Sequence, residues 1–345
     1  RVEDNCQNCG FNQVRINGME GKYAQILING RPMVSTLAGV YLLEQIPSNM
    51  IEKLEVVKGG GSSLYGGNAV AGVINLITKE PLEPESQVAI QGSMIDQELT
   101  SKVSFNYNYV SKDHLTRSNL FINHQDRNPV DLNDDGFSDL GKMKNFSGGA
   151  TLIREFSAIA SRLTLDFATH NEDRRGGNHF EKPEHFADVC EAARTRRLDL
   201  SAAWEQTFKQ TLVFKGSVAY SYTKRNTYYG AEQDPNAYGQ SENPVVFIDL
   251  KGDIIALENH TVTIGANYQH EHLEDIIAAY SHYVDDTYNN LGLYVQDEWE
   301  IGKAWSFLGG IRYDKHSNLD NGIWSPRASI IFKGKRENVD WTRFF

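Results

Sequence analysis

From about Ser86 onward, apolar and polar residues take turns along the chain. Val103, Phe105, Tyr107 and Tyr109 share one face of an extended segment, and Lys102, Ser104, Asn106 and Asn108 share the other. Leu212, Phe214, Val218, Tyr220 and Tyr222 oppose Lys215, Ser217, Ser221 and Thr223 in the same way. Val262, Ile264, Ala266 and Tyr268 oppose Thr263, Asn267 and Gln269, while Trp305, Phe307, Ile311 and Tyr313 oppose Ser306, Arg312 and Asp314. A period of two predicts strands with one apolar face ending in aromatics and one small or polar face.

A soluble sandwich alternates too, so the connections have to separate the possibilities. Short ones, "SKDH" after Val110, "KQ" at Lys209, "ENH" at Glu258 and "GK" at Gly302, take turns with long ones. The long ones are "DRNPVDLNDDGFSDLGKMK", "RRGGNHFEKPEHFADVCEA", "NTYYGAEQDPNAYGQSEN" and "EDIIAAYSHYVDDTY"; the hairpins around "DQE" and "SNLDNG" are short exceptions on the long side. Short turns on one rim and long loops on the other are the arrangement of an outer-membrane barrel, here with roughly twelve readable strands.

Composition agrees with that reading and narrows it. Hydrophobic residues make up 40% of the 345, and Tyr and Phe number 16 each, a mixture that favours strands over helices. There is no apolar run of membrane-helix length, which leaves a barrel open. A net charge of −11 with no basic stripe argues against nucleic acid as a partner. The chain opens at Arg1 without a leader, as expected of a processed or incomplete product. Cys6 and Cys9 form a C-x-x-C, but zinc would need a second ligand pair and Cys190 is distant, so a local disulfide or two free thiols both fit.

The first eighty residues break the alternation into shorter apolar pieces. "YAQILINGRP" reads as a strand entering a tight turn at Asn29-Gly30. "LLEQIPSNMIEKLEVVKGG" reads as a short helix stopped before Pro47, a second short segment and a strand. The glycine cluster that follows lacks the Lys of a phosphate-binding loop, and Val73, Ile74, Leu76 and Ile77 predict a strand where a dinucleotide fingerprint would open a helix.

Three motifs in order, "VRINGMEGKYAQILINGRP", "IEKLEVVKGGGSSLYGGNAVAGVINLITK" and "LGLYVQDEWEIGKAWSFLGGIRYDKHS" with "SPRASIIF" after it, resemble the plug and barrel segments of TonB-dependent outer-membrane receptors. Gly59 to Gly61 stand where Gly-Pro is more usual, and Ala71 where glycine is common. The resemblance implies a mainly β chain: an N-terminal α+β plug domain over residues 1–82, then an antiparallel transmembrane β-barrel over residues 83–345. That barrel would be incomplete, because the class closes with about 22 strands around a plugged lumen. The glycines would then serve packing inside a crowded lumen.

By the same resemblance the chain is an outer-membrane importer, without enzymatic chemistry, that passes a scarce solute to the periplasm when TonB rearranges the plug. The expected cargo is a metal chelate (ferric siderophore, haem or cobalamin), since the long N-terminal extension typical of glycan importers is not in the sequence. The alternatives are a glycan or peptide cargo, or a passive pore, though a pore would not carry eighty residues ahead of its first barrel strand. Expected partners are the TonB complex, the chelate and outer-membrane lipid, with a surface lipoprotein over the loops left open.

Several residues are candidates for sites. Arg174, Arg175, Tyr228 and Tyr229 lie in the expected long loops, where a ligand surface belongs. Gln13, Arg15 and the Cys6–Cys9 loop are placed at the outward plug apex by family analogy. Asp131, Asn133, Asp135 and Asp139 occupy positions 1, 3, 5 and 9 of an EF-hand-like loop with Gly136 at its turn, but position 12 is Lys142, so calcium and a solvated acidic turn both fit. His270 and His272 continue the apolar row through Tyr268 and are expected to point outward; His179 and His185 lie in a long loop.

Overall fold

The computed structural model describes residues 2–6, 11–14, 16, 18–19, 23–32, 50–58, 64, 71–257, 259–302, 304–336 and 339–344; for 2–6, 11–14, 32, 58, 256–257 and 333–344 it describes backbone only. The expected helix before Pro47, the glycine triplet, Arg15 and Cys9 lie outside these residues. So do the side chains of Gln13 and Cys6, whose backbones sit in β2 (Phe11–Val14) and β1 (Val2–Cys6).

Alternation becomes one antiparallel meander. Its strands are β7 (Glu85–Ile95), β8 (Glu98–Val110), β9 (Thr116–Arg127), β10 (Lys142–Phe156), β11 (Ser161–Gly177), β12 (Val189–Phe208) and β13 (Leu212–Ala231). They continue as β14 (Tyr238–Leu257), β15 (His260–Ile277), β16 (His282–Ile301), β17 (Trp305–His316), β18 (Ile323–Arg336) and β19 (Val339–Phe344). Among the described residues this is a 13-stranded sheet in which every strand neighbours the next in sequence, with β7 and β19 at its two edges.

The register carries a single face through the wall. Asn106 pairs with Phe121, Phe121 with Gly149, Gly149 with Ala168, Ala168 with Asp199, Asp199 with Ser221, Ser221 with Val245 and Val245 with Glu271. That face is largely buried and polar, as the polar rows predict. The opposite face exposes Val103, Tyr107, Leu120, Ile122, Phe167, Leu200, Ile264 and Leu291. So continuous an exposed apolar band, opposite a buried polar face, has the pattern of a lipid-facing barrel wall.

Two of the four expected long loops are corrected to strand. β13 and β14 are joined by residues 232–237 alone, and β15 and β16 by residues 278–281. β12, β13, β14 and β16 have 20 residues each, roughly 66 Å of chain against a hydrocarbon layer of about 30 Å. Above the band both faces meet water, the contrast of period two fades, and strand reads as loop. Arg174, Arg175, Tyr228 and Tyr229 therefore stand on strand ends instead of in loops.

The N-terminal region forms a separate four-stranded sheet from β3 (Ala24–Ile28), β4 (Arg31–Pro32), β5 (Ile51–Lys58) and β6 (Gly72–Thr78), in the order β4-β3-β6-β5 with β3 parallel to β6. Asn29 and Gly30 have φ of 51° and 76°, the pair of positive angles that a two-residue turn needs. Asn75 stitches the sheet, its Oδ1 accepting from the Gly30 amide at 2.9 Å and its Nδ2 donating to Glu55 Oε2 at 3.0 Å. Ile16, Ala71 and Ile74, and beside them Leu27 and Val73, form its small cores.

Candidate functional site

The inner wall keeps its charges by pairing them two residues apart on the same strand face. Arg174 Nε donates to Glu172 Oε1 at 2.7 Å and Arg197 Nη2 to Asp199 Oδ1 at 2.8 Å; Arg312 grips Asp314 through Nε at 2.7 Å and Nη2 at 2.6 Å. Across strands, Asn243 Nδ2 donates to Glu271 Oε1 at 3.0 Å. Buried charges persist only when paired and hydrogen-bonded, so these pairs let the polar face stay covered. Sequence reasoning placed Arg312 and Asp314 on the polar face but missed the pairs. The signal was present as Glu-x-Arg and Arg-x-Asp in register with the polar row.

Among the described residues, several polar contacts join the N-terminal region to this wall. From β4, Arg31 Nη1 donates to Ser201 Oγ at 2.6 Å and Nη2 to Asp166 Oδ2 at 2.8 Å. Asp166 is also held from the wall itself, by Thr151 Oγ1 at 2.9 Å and Ser201 Oγ at 2.8 Å. After β6, Glu80 pairs with Arg117 and, at 3.1 Å, with Arg162. Arg312 Nη1 donates to the Leu64 carbonyl at 3.3 Å. Between the Arg31 and Glu80 contacts lies a cavity of about 580 Å³, bounded by the Asn29-Gly30 turn and the inner faces of β9 to β14.

The four expected ligand residues of the strand ends divide between two faces. By register Arg174 and Tyr229 stand on the inner face, opposite Ala193 and Glu191, whereas Arg175 and Tyr228 share the outer one, each opposite Ala192. Arg175 bends over the β11–β12 loop and donates to the carbonyls of Lys182 at 2.6 Å and His179 at 2.9 Å. Tyr228 is 1% exposed, packs with Cys190, Ala187, Ala192 and Ala237, and donates to the Asp234 carbonyl at 3.1 Å. Tyr280 donates to the Tyr229 carbonyl, and Tyr238 to Glu184 Oε2 at 3.1 Å, so three hairpin tips form one packed unit. His185 joins it through Tyr238 Oη at 3.0 Å, while His179 lies near Glu181 and Asp188. Burial here pushes the Cys190 thiol up to about 11 and raises the Tyr228 hydroxyl above its ordinary value.

Elsewhere the sites behave as local structure. Asp131 accepts the amides of Asp135 at 3.3 Å and Gly136 at 2.8 Å, Asn133 and Asp135 accept those of Asp135 and Phe137, and Asp139 accepts that of Leu132 at 2.7 Å. Among the described residues no three His, Cys, Asp or Glu side chains converge as metal ligands, so the geometry lends calcium no support. His270 and His272 lie on the outer face, bonded to Asn289 at 2.9 Å and Thr287 at 3.1 Å.

A small parallel and antiparallel sheet held against the inner face of a long antiparallel wall is a specific pairing. The TonB-dependent Receptor Plug Domain profile matches residues 1–73, and the TonB dependent receptor-like beta-barrel profile matches residues 102–345. The chain belongs to the TonB-dependent receptor family. The receptor is 24% identical over 323 residues to the vitamin B12 transporter BtuB of Vibrio vulnificus, covering 90% of this chain and 50% of that protein. Among solved structures it superposes on the siderophore receptor PirA of Acinetobacter baumannii with a TM-score of 0.78 at 17% identity, over 98% of this chain and 55% of that one. A mutant of the ferric enterobactin receptor PfeA of Pseudomonas aeruginosa gives 0.79 at 16% identity, over 99% and 57%. The chain thus spans about half the length of the relatives it matches.

Proposed function

We propose that this chain is the plug and the first part of the barrel of an outer-membrane importer that takes up a metal chelate, a ferric siderophore or cobalamin, under the control of TonB. The observation that carries the proposal is the mode of attachment of the plug. Among the described residues it rests on the wall through Arg31 and Glu80 and the Leu64 carbonyl; the Arg31–Asp166 and Glu80–Arg162 pairs are partly hydrated and individually modest, while Arg117 and Arg312 receive the plug from buried positions. A plug held this way closes the lumen at rest and releases without unfolding the wall, whose neighbouring strands stay paired with one another. The exposed apolar band supports placement in the outer membrane, and the names of the relatives, a vitamin B12 transporter and siderophore receptors, support the chelate class.

The test uses the full-length receptor in a bacterial host lacking its own uptake systems, supplied with labelled cobalamin or a panel of labelled ferric siderophores, with and without functional TonB. TonB-dependent accumulation of one chelate is expected. Accumulation that ignores TonB would make the protein a pore, and uptake of glycan or peptide alone would overturn the chelate assignment.

A further inference from the structure

Two cations stand directly opposite each other on the outer face of the wall. Arg196 on β12 is the cross-strand partner of Lys224 on β13. That register puts their β-carbons about 4.5–5.5 Å apart, where like charges repel. Lys224 is balanced, its Nζ donating to Glu242 Oε1 at 2.6 Å. Arg196 is not. It is exposed, its neighbour on β11 is Asn171, and among the described residues it makes no hydrogen bond or ion pair. Arg194, two residues along on the same face, pairs with Glu184 and keeps its side chain 56% exposed. Lys144, an exposed cation of the same outer face on β10, shows the contrast: it lies 3.4 Å from Asp126 and opposite Asp173. In a chain of net charge −11, an unbalanced guanidinium set against an ammonium is not the overflow of a generally basic surface.

The height of the pair says what could balance it. One step nearer the membrane on this face Leu198 stands opposite Tyr222, and one step further Leu200 stands opposite Tyr220, within the exposed apolar band. A step of two residues is about 6.6 Å of strand, and the head-group layer beyond the hydrocarbon is about 5–8 Å deep on each side. The charged pair therefore starts where the hydrocarbon stops. In the other direction Ala192 and Tyr228, on the same outer face, pack with Ala187 of loop 178–188, so a packed ledge closes the patch from above. Long loops mark the extracellular side, so the lipid that meets this patch is that of the outer leaflet. Phosphate suits the pair: a guanidinium grips it with two parallel N–H donors and an ammonium adds a point charge.

We propose that Arg196 and Lys224, with Arg194 above them, form a site on the outside of the wall for the phosphorylated head group of an outer-leaflet lipid. The inference rests on the placement of the apolar band in the outer membrane and is independent of what the receptor imports.

The full-length receptor, in phosphatidylcholine nanodiscs, is titrated with lipid A bearing both phosphates, with dephosphorylated lipid A and with inorganic phosphate, and retained lipid is counted by native mass spectrometry. The variants are Arg196→Gln, Arg196→Gln with Lys224→Gln, Arg196→Lys and, as the control, Lys144→Gln. Each is first required to keep the wild-type heat-induced gel shift; because Arg196 touches no protein partner, Arg196→Gln decides the matter if the double variant does not fold. Wild type should retain lipid A and not its dephosphorylated form. Affinity should fall about fivefold in Arg196→Gln and about thirtyfold in the double variant. Arg196→Lys should hold more lipid than Arg196→Gln, and Lys144→Gln should match wild type. Equal retention of dephosphorylated lipid A, unchanged affinity in Arg196→Gln, or an equal loss in Lys144→Gln overturns the site. Displacement of lipid A by inorganic phosphate overturns the lipid assignment in favour of a free anion. Chelate uptake by the Arg196→Gln variant should be normal; absence of uptake in wild type would count against the importer reading alone and leave the lipid measurement standing.

Discussion

Removing Arg31 and removing Asp166 should not cost the same, and the difference tests how the plug is held. Arg31 gives two hydrogen bonds to the wall, at 2.6 Å and 2.8 Å. Hydrogen bonds to charged groups contribute about 1.5–3 kcal/mol when well shielded. Here the Arg31 and Asp166 side chains are 21% and 27% exposed, so screening lowers the sum to about 1–2 kcal/mol. Arg31→Ala leaves Asp166 bonded to Thr151 and Ser201 and should therefore cost only that amount, a factor of about 5–30 in the plug-release equilibrium. Asp166→Ala removes the ion pair but leaves Arg31 bonded to Ser201; the Thr151 and Ser201 hydroxyls lose their acceptor whether the plug is seated or released, so that further cost of about 1–3 kcal/mol falls on the stability of the wall. The assay is planar-bilayer conductance of the full-length receptor under a urea ramp, in which the onset of large openings marks plug release. Arg31→Ala should move the onset to lower urea and the double variant no further than Arg31→Ala, while Asp166→Ala alone should also lower the temperature at which the wall unfolds. High salt should shrink the gap between wild type and Arg31→Ala. An unchanged onset for Arg31→Ala, or an onset for the double variant well below that for Arg31→Ala, would show that the plug is not held this way.

Further outcomes follow from the hairpin tips and the wall. Tyr228→Ala should destabilise the packed tips by about 3–5 kcal/mol and Tyr228→Phe by about 1 kcal/mol, read as faster proteolysis of loop 178–188; equal cleavage of both variants would contradict this. A β-carbon on Gly149 would sit 2.5 Å from the Phe167 carbonyl oxygen and 2.6 Å from the Phe121 ring, so Gly149→Val should lower the temperature of the folded-to-unfolded gel shift, at a cost of about 1–3 kcal/mol. Gly252→Ala, with its nearest neighbour at 3.6 Å, should leave that temperature unchanged. Cys190 should resist maleimide in the folded receptor and react on unfolding, since it is fully buried and its thiol is held up to about 11. Between the ordinary value of 9.0 and about 11 the folded state retains a proton that the unfolded state releases, so the contribution of Cys190 to stability is present below pH 9 and is lost as pH rises through that window.

Much of this was readable from alternation. Lys102, Ser104, Asn106 and Asn108, and their counterparts on three later strands, do face inward, because within the bilayer the apolar row has to meet lipid and the polar row has to meet the lumen. The turn at Asn29-Gly30 and the strand through Val73 and Leu76 were legible for the same kind of local reason. Legibility ended where the membrane does. Above the apolar band no solvent contrast separates the faces, so the upper ends of β13 to β16 read as loops, and the burial of Tyr228 among the hairpin tips left no mark in the sequence. Arg31 and Asp166 were invisible for a different reason: they are 135 residues apart, and nothing local marks either as the other's partner.

Whether the plug is a closed gate that TonB opens to admit a chelate is decided by uptake in cells expressing the full-length receptor. Cells expressing the receptor should accumulate one labelled chelate, cobalamin or a ferric siderophore, when TonB is energised and lose that accumulation when TonB is deleted, with surface binding retained. Equal accumulation in both strains, or steady large conductance from the purified receptor without TonB, would contradict it.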